Sequence, residues 1–187
     1  MTVPHRQKPP DSALLCVDLQ PVFLATIGKG QEVHWRCSFA IEAAQGLGMP
    51  VIFTEQVPAK LGGTAPDLRA LAPAATALGK ETFSAFGDAG ITERLAATGA
   101  RRLLLCGLET PICIYQTAVD ALAAGYEVTV LADCVGARRP GDAVVALEHL
   151  ARAGCTILPA ETVFYAILHD VRQPFFKSFT ALVKKYG

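Results

Sequence analysis

The chain has 187 residues, enough for one domain with a sizeable hydrophobic core. Its 17 Lys and Arg residues balance its 17 Asp and Glu residues, so the formal net charge is zero and no extended basic face for nucleic acid or anionic lipid is indicated. No apolar run reaches the roughly 18 residues of a membrane span, and the N-terminal segment lacks the apolar core of a signal peptide. We therefore expect a cytoplasmic protein whose partners are small molecules or copies of itself.

The six cysteines lie far apart in the sequence, and no Cys-x-x-Cys pair indicates a zinc site. They are Cys16, Cys37, Cys106, Cys113, Cys134 and Cys155. Four of them lie in or beside apolar, strand-like runs. This pattern is typical of reduced core residues rather than of a disulfide framework.

Residues 1–12 are polar and rich in proline, which predicts a flexible N-terminal arm ahead of a single folded domain over residues 13–187. Residues 13–17 form a short apolar run typical of a buried parallel strand, and Asp18 follows it. Ligands of open parallel sheets bind at the carboxyl ends of the strands, so Asp18 is a candidate site residue. The alternative is that Asp18 only caps the following turn.

Helices and strands then alternate up to residue 105. Apolar residues at helical spacing, among them Trp35 and Phe39, predict a helix over residues 31–47. These two side chains are expected in the core, and the alternative is that they line a pocket. A weak strand ends at Lys80; because a lysine is usually solvated, Lys80 is of interest only if other chemical groups accompany it. The remaining predictions here are strands over residues 51–54, 76–80 and 101–105 and helices over residues 67–71 and 91–97.

The stretch that ends at Cys113 is the most informative part of the chain. A buried strand is followed by Thr110 and Pro111, which predict a helix N-cap and a first-turn proline. Cys113 is then expected in the first helical turn, where unpaired backbone N–H groups and the helix dipole favour the thiolate. A nucleophile is one interpretation of Cys113, and a small buried core residue is the other.

The rest of the chain continues the alternation. The predicted elements are strands over residues 126–131 and 155–158 and helices over residues 111–124, 142–152, 161–168 and 175–184. Short connections between alternating strands and helices predict a doubly wound, three-layer α/β sandwich with a central, mostly parallel six-stranded sheet. No G-x-G-x-x-G motif follows the first strand, which argues against a dinucleotide site.

Four segments allow a family to be recognised. They are LCVDLQ (residues 15–20), TEQVPAKLG (54–62), KETFSAF (80–86) and GLETPIC (107–113). In this order they resemble the isochorismatase-like cysteine hydrolase family, most closely its isochorismatase-domain-containing subgroup. The similarity spans about residues 12–184, nearly the whole chain.

The resemblance implies a catalytic triad of Asp18, Lys80 and Cys113. It also implies a non-proline cis peptide bond between Leu108 and Glu109, and an oxyanion hole made by the backbone N–H groups of Glu109 and Cys113. A neighbouring ammonium and a helix N-terminus are expected to lower the pKa of the Cys113 thiol, and Asp18 is expected to accept its proton.

The implied activity is hydrolysis of an amide-type C–N bond of a small molecule through a Cys113 thioester. The alternatives are hydrolysis of an ether, ester or imine by Asp18 and Lys80 without a covalent step, and a non-catalytic scaffold with a redox-sensitive cysteine. A homo-oligomer is implied by the resemblance as well. The side chains expected to line the substrate pocket, or else to belong to the core, are Gln20, Phe23, Phe83, Phe86 and Tyr115.

No metal or other cofactor is expected. The similar nicotinamidases bind a metal through an Asp-x-His element after the second strand, whereas this chain has Thr54, Glu55, Gln56 and Val57 there, without a histidine. Its four histidines are scattered without metal-ligand spacing.

Overall fold

A six-stranded sheet in which all neighbouring strands are parallel forms the centre of the computed structural model, which describes residues 11–187. The strands are β1 (Ser12–Val17), β2 (Val51–Gln56), β3 (Thr76–Lys80), β4 (Arg102–Leu108), β5 (Glu127–Gly136) and β6 (Thr156–Leu158). Their order across the sheet is β3-β2-β1-β4-β5-β6. The predicted six-stranded parallel sheet is therefore confirmed.

Helices cover both faces of this sheet. They are α1 (Pro21–Leu24), α2 (Gly30–Gly46), α3 (Pro58–Leu61), α4 (Pro66–Leu71), α5 (Ala89–Ala96), α6 (Tyr115–Ala123), α7 (Pro140–Ala153), α8 (Ala160–Leu168) and α9 (Phe176–Tyr186). Four of them, α1, α3, α4 and α7, begin with a proline. The fixed φ of proline suits the first helical turn, and a backbone N–H at that position would have no hydrogen-bond partner within the helix.

Two apolar layers hold the sandwich together. On one face of the sheet, α2, α8 and α9 pack through Phe39, Phe164 and Phe179. On the other face, α5, α6 and α7 contribute a second cluster of buried apolar side chains. Every residue of β1 is buried because its side chains point alternately into the two apolar layers. Leu14, for example, packs in the first layer and Leu15 in the second. This confirms the three-layer α/β class.

The sheet reverses its direction of growth between β1 and β4. The chain adds β2 and β3 outward on one side of β1, and then crosses over to add β4, β5 and β6 on the other side. Such a switch point opens a crevice outside the carboxyl ends of the two central strands, where ligands of this architecture bind. Asp18 follows β1, and the segment that carries Cys113 follows β4.

Strand pairing continues beyond the apolar runs that predicted it. Gln56 at the end of β2 pairs with Lys80, and Leu108 at the end of β4 pairs with Gly136, so β2, β4 and β5 are longer than their apolar cores. The first strand also begins one residue earlier than predicted, at Ser12, the last residue of the predicted N-terminal arm. The rest of that predicted arm, residues 1–10, lies outside the described residues.

The two aromatic side chains expected to lie in the core from α2 differ. Phe39 is fully buried, as predicted. Trp35 is 45% exposed and instead lies against the ring of Tyr186 near the C-terminus, with 4.6 Å between ring centroids. Helical spacing alone did not distinguish the centre of the buried face of α2 from its edge.

Among residues 11–187, no helix combines the length and the apolar character needed to cross a membrane.

Candidate active site

Asp18 and Lys80 form a buried ion pair at the carboxyl edge of the sheet. The ammonium nitrogen of Lys80 lies 2.7 Å from Oδ2 of Asp18, and the two side chains are 0% and 1% exposed. Asp18 leaves β1 with a φ of +52°, a left-handed conformation that Asp tolerates better than most residues. Lys80 is the last residue of β3, so the two residues come from strands separated only by β2.

Polar groups from β2 complete the environment of this pair. The hydroxyl of Thr54 donates to Oδ1 of Asp18 at 3.0 Å. Lys80 also donates to Oε1 of Gln56 at 2.7 Å and to the carbonyl of Thr82 at 3.2 Å. All three ammonium protons therefore have an acceptor, as a buried charge requires.

Gln20 and Gln56 tie the loops around the pair together, and sequence reasoning gave Gln56 no role. The side-chain amide of Gln20 donates to the carbonyls of Gln56 and Gly62 at 3.0 and 2.6 Å, and its oxygen accepts from the Gln56 N–H at 2.7 Å. Gln56 has the same signal as Asp18, a polar residue at the carboxyl end of a central strand, but the apolar run of β2 predicts a strand that ends at Thr54, two residues earlier.

Cys113 lies on a wide helical turn, Thr110–Ile114, that leads into α6. Its side chain is largely buried, and the residue is 7% exposed. The prediction that Thr110 caps the helix is wrong. Thr110 is inside the turn, Glu109 occupies the cap position, and the Thr110 hydroxyl donates to the Gly136 carbonyl at 3.0 Å because β5 runs alongside.

The pKa of the Cys113 thiol is raised, contrary to the expectation of a favoured thiolate. Burial is the largest cause and the charge of Asp18 acts in the same direction; Lys80 and the Glu109 backbone lower the pKa, and the net result is a pKa of about 12. The helix terminus and the ammonium act in the expected direction, but desolvation and the carboxylate outweigh them. Asp18 and Cys113 line the same cavity.

The peptide bond between Leu108 and Glu109 is cis, at the position that the resemblance implies. The Glu109 backbone is close enough to Cys113 to lower the pKa of its thiol, although burial outweighs this effect. The Glu109 carboxylate, 11% exposed, accepts from Nε of Arg138 at 2.5 Å and from the Arg138 backbone N–H at 3.3 Å. This ion pair connects the loop after β4 to the loop after β5.

A cavity of about 310 Å³ opens beside these groups. Asp18, Cys113 and Glu109 contribute to its wall, whereas Lys80 lies behind Asp18 and does not. The apolar part of the wall consists of Val22, Phe23, Phe83, Leu108 and Ile112. A space of this size suits a small molecule.

Only part of the predicted pocket lines this cavity. Phe23 and Phe83 do, and Phe83 is 55% exposed at its mouth. Gln20 is fully buried behind the loops. Phe86 packs against the ring of Tyr126 instead, with 5.6 Å between centroids. Tyr115 lines a larger adjoining groove of about 790 Å³, where its hydroxyl lies 3.2 Å from Nδ1 of His149.

The described part of the chain contains no group of three or more His, Cys, Asp or Glu side chains arranged to hold a metal ion. All six cysteines are free and buried, including the four that lie in or beside the apolar runs. The absence of a cofactor stays a prediction.

Comparison with known proteins places the chain in the isochorismatase family. The sequence model of the isochorismatase domain matches residues 12–162. Isochorismatase domain-containing protein 2 of Xenopus laevis is 34% identical over 172 residues, which cover 92% of this chain and 83% of that protein. Isochorismatase domain-containing protein 1 of Danio rerio is 34% identical over 180 residues; they cover 94% of this chain but only 62% of that protein's length.

Solved structures have the same fold. The MAR1 ribonuclease of Caenorhabditis elegans superimposes with a TM-score of 0.90 at 30% identity, over 96% of this chain and 92% of that one. YcaC of Pseudomonas aeruginosa superimposes with a TM-score of 0.92 at 22% identity, over 100% of this chain and 94% of that one.

Proposed function

The chain belongs to the isochorismatase family, whose fold is that of a hydrolase, and from this premise we propose that it cleaves an amide-type C–N bond of a small molecule through Cys113. The observation that carries the proposal is that Cys113 and Asp18 line one cavity while Lys80 pairs with Asp18 from behind. The carboxylate is close enough to the thiol for its charge to raise the pKa of Cys113, and it is itself paired with a buried ammonium. This is the arrangement of an activated nucleophile with its base and a group that orients the base.

In the acylation half of the reaction, Asp18 accepts the proton of Cys113 as the sulfur attacks the amide carbonyl. The carbonyl oxygen becomes an oxyanion, which the backbone N–H groups of Glu109 and Cys113 stabilise. The C–N bond then breaks, the amine leaves with the proton that Asp18 held, and a thioester remains on Cys113.

In the deacylation half, a water molecule attacks the thioester while Asp18 accepts one of its protons. The same N–H groups stabilise the second oxyanion. The C–S bond breaks, the sulfur takes the proton back from Asp18, and the carboxylic acid product leaves. Lys80 holds Asp18 in place through both halves and loses no proton.

The two alternatives fit the site less well. Hydrolysis of an ether, ester or imine by Asp18 and Lys80 alone leaves the Cys113 sulfur in the cavity wall without a task. A redox-sensitive scaffold gives no role to the cavity beside Cys113 or to the buried pair of Asp18 and Lys80.

The likeness to MAR1 ribonuclease is a reason to test RNA, but small molecules are favoured here. The formal net charge is zero, and the cavity beside Cys113 is about 310 Å³ with a mostly apolar wall. Proteins that bind the nucleic acid backbone rely on extended positive surfaces.

We further propose that the protein is a cytoplasmic homo-oligomer and uses no metal. The octameric YcaC hydrolase of Escherichia coli shares its fold with a TM-score of 0.87 at 22% identity. A relative with a different location is the secreted isochorismatase effector Isc1 of Phytophthora sojae, 30% identical over 184 residues. Size-exclusion chromatography with light scattering tests the oligomer.

The test of the hydrolase mechanism compares two cysteine variants. A panel of small amides is screened for ammonia release with the wild type, Cys113→Ser and Cys155→Ala, and the thioester is sought by mass spectrometry after rapid acid quench. Cys155 is a matched control because it is 6% exposed against 7% for Cys113 and does not line the cavity. We expect Cys113→Ser to lose at least about a thousandfold in kcat/KM and Cys155→Ala to stay within about twofold. Turnover that survives in Cys113→Ser contradicts the mechanism.

A further inference from the structure

Two cysteines outside the candidate active site face each other across the centre of the sheet. Cys16 of β1 and Cys106 of β4 are direct partners in the pairing of these strands, and their Sγ atoms lie 3.5 Å apart. Both residues are 0% exposed, in the apolar layer that α2, α8 and α9 cover. The proposed hydrolysis uses only Cys113, which belongs to the opposite layer, so this pair of thiols has no task in it.

The spacing of the two strands allows these cysteines to be joined. Neighbouring strands lie roughly 4.8 Å apart, and the Cα atoms of a disulfide lie about 4.4–6.8 Å apart. The hydrogen bond between the thiols also makes them chemically unequal. It lowers the pKa of Cys106, whereas burial and the same bond raise the pKa of Cys16. A thiol that ionises readily beside one that keeps its proton is typical of dithiols that can be oxidised.

The pair lies directly behind the candidate active site. Cys16 precedes Asp18 by two residues, and Cys106 is followed at once by Gly107. A Cβ at Gly107 would lie 2.0 Å from the Val17 carbonyl oxygen, so β1 and β4 are in close contact one residue beyond the thiols. The Cβ atoms of a disulfide are about 3.8 Å apart, so its formation draws the two strands together by roughly 1 Å. Because the close contact leaves no room for this approach, Asp18 and the segment after β4 are displaced.

We propose that Cys16 and Cys106 are a modification site, at which hydrogen peroxide forms a disulfide that lowers the hydrolytic activity. The Cys106 thiolate attacks one peroxide oxygen, the O–O bond breaks, and Cys106 becomes a sulfenic acid as the released hydroxide takes up the thiol proton. The Cys16 sulfur then attacks the Cys106 sulfur, the S–O bond breaks, and a second water leaves with the proton of Cys16. Two electrons pass from the thiols to the peroxide. A thiol reductant reverses the step.

The disulfide is sought in the folded protein after treatment with hydrogen peroxide. Remaining thiols are blocked with iodoacetamide under denaturing conditions, and the unreduced digest is mapped by mass spectrometry. In the wild type we expect a crosslink between the Cys16 and Cys106 peptides that disappears after dithiothreitol. This part of the inference is independent of the proposed function.

The effect on activity rests on the proposed function and is measured as ammonia release from an amide that the wild type hydrolyses. A displacement of about 1 Å in a catalytic site can cost about a hundredfold in rate. We therefore expect kcat/KM of the crosslinked protein to fall by about tenfold or more and to recover after dithiothreitol.

Three substitutions assign the effect. Cys16→Ala and Cys106→Ala each remove one partner, so both are expected to keep their own activity within about twofold after peroxide treatment. Cys37→Ala is the matched control, because Cys37 is also 0% exposed in the same layer and its thiol donates to the Cys134 carbonyl at 3.2 Å. This variant is expected to form the crosslink and to lose activity as the wild type does.

Four results overturn the inference. The folded wild type forms no crosslink between Cys16 and Cys106, or its main crosslink involves Cys37. The crosslinked protein keeps its full activity. Peroxide inactivates Cys16→Ala and Cys106→Ala as strongly as the wild type, which means that another group, such as Cys113, is oxidised. Failure of the proposed function is a separate result, namely ammonia release that persists in untreated Cys113→Ser.

Discussion

Replacing Lys80 by methionine removes the cation from the buried pair and keeps the length of the side chain. The wild-type ammonium donates three hydrogen bonds, at 2.7 Å to Asp18, 2.7 Å to Gln56 and 3.2 Å to Thr82. In Lys80→Met the Asp18 carboxylate keeps only the bond from the Thr54 hydroxyl among these polar groups, in a site where it is 1% exposed. The variant thus buries a charge without its counter-ion.

Breaking a buried pair by removing one partner costs about 3–5 kcal/mol. For a chain of this size, about 1 kcal/mol lowers the melting temperature by roughly 2–4 °C, so Lys80→Met is expected to melt roughly 6–20 °C lower. Lys177→Met is the control, because Lys177 is exposed on α9, and its cost is expected to stay within about 0.5 kcal/mol.

The assay is urea unfolding at one fixed protein concentration, followed by the fluorescence of Trp35, the single tryptophan, and by circular dichroism. A double variant separates loss of packing from loss of charge. Asp18→Asn combined with Lys80→Met removes both charges, so it is expected to be more stable than Lys80→Met alone, by at least about 1 kcal/mol. The reasoning is refuted if Lys80→Met costs no more than Lys177→Met, or if the double variant is no more stable than Lys80→Met.

Two further predictions concern the site and its frame. Asp18→Asn removes the negative charge that raises the pKa of Cys113, so this pKa is expected to fall below about 12. Alkylation of Cys113 near pH 8 is then expected to rise by roughly tenfold or more while amide hydrolysis is lost; slower alkylation contradicts this. Gly107→Ala is expected to cost about 3 kcal/mol or more in urea unfolding, because φ is +119° and the new Cβ falls 2.0 Å from the Val17 carbonyl oxygen. Gly48→Ala, at φ +67° with open space around it, is the control and is expected to cost about 1 kcal/mol.

The sequence was sufficient for the fold because the apolar runs and their spacing report burial directly. Leu14 and Cys16 pack in one apolar layer and Leu15 and Val17 in the other. The strand is therefore a continuous apolar run, without alternation of apolar and polar residues. The strand ends were less certain, since pairing between Gln56 and Lys80 involves polar residues that an apolar pattern does not include.

Asp18 was predictable as a site residue from its place directly after a buried strand. Lys80 also lies at a strand end, the last residue of β3, but a lysine there is usually solvated, so its role needed the family resemblance. Phe83 and Phe86 show the limit of sequence reasoning, since they lie three residues apart around one short turn, yet one lines the cavity and the other packs on Tyr126. Which of them faces the ligand depends on the layer that the turn contacts, and the local sequence does not contain that information.

The sign of the Cys113 pKa shift was wrong for a reason that bears on the mechanism. The sequence indicated a helix terminus and an ammonium, both of which favour a thiolate, but it gave no measure of burial, and burial is the largest effect. In the proposed mechanism the resting triad holds a carboxylate, an ammonium and a neutral thiol, with a net charge of zero. After the proton moves from Cys113 to Asp18, it holds a carboxylic acid, an ammonium and a thiolate, and the net charge is again zero. Negative charge therefore shifts between two neighbouring groups beside Lys80, and no new charge has to be created in a site that excludes water. The same burial that raises the pKa of the thiol thus makes Lys80 necessary in both states.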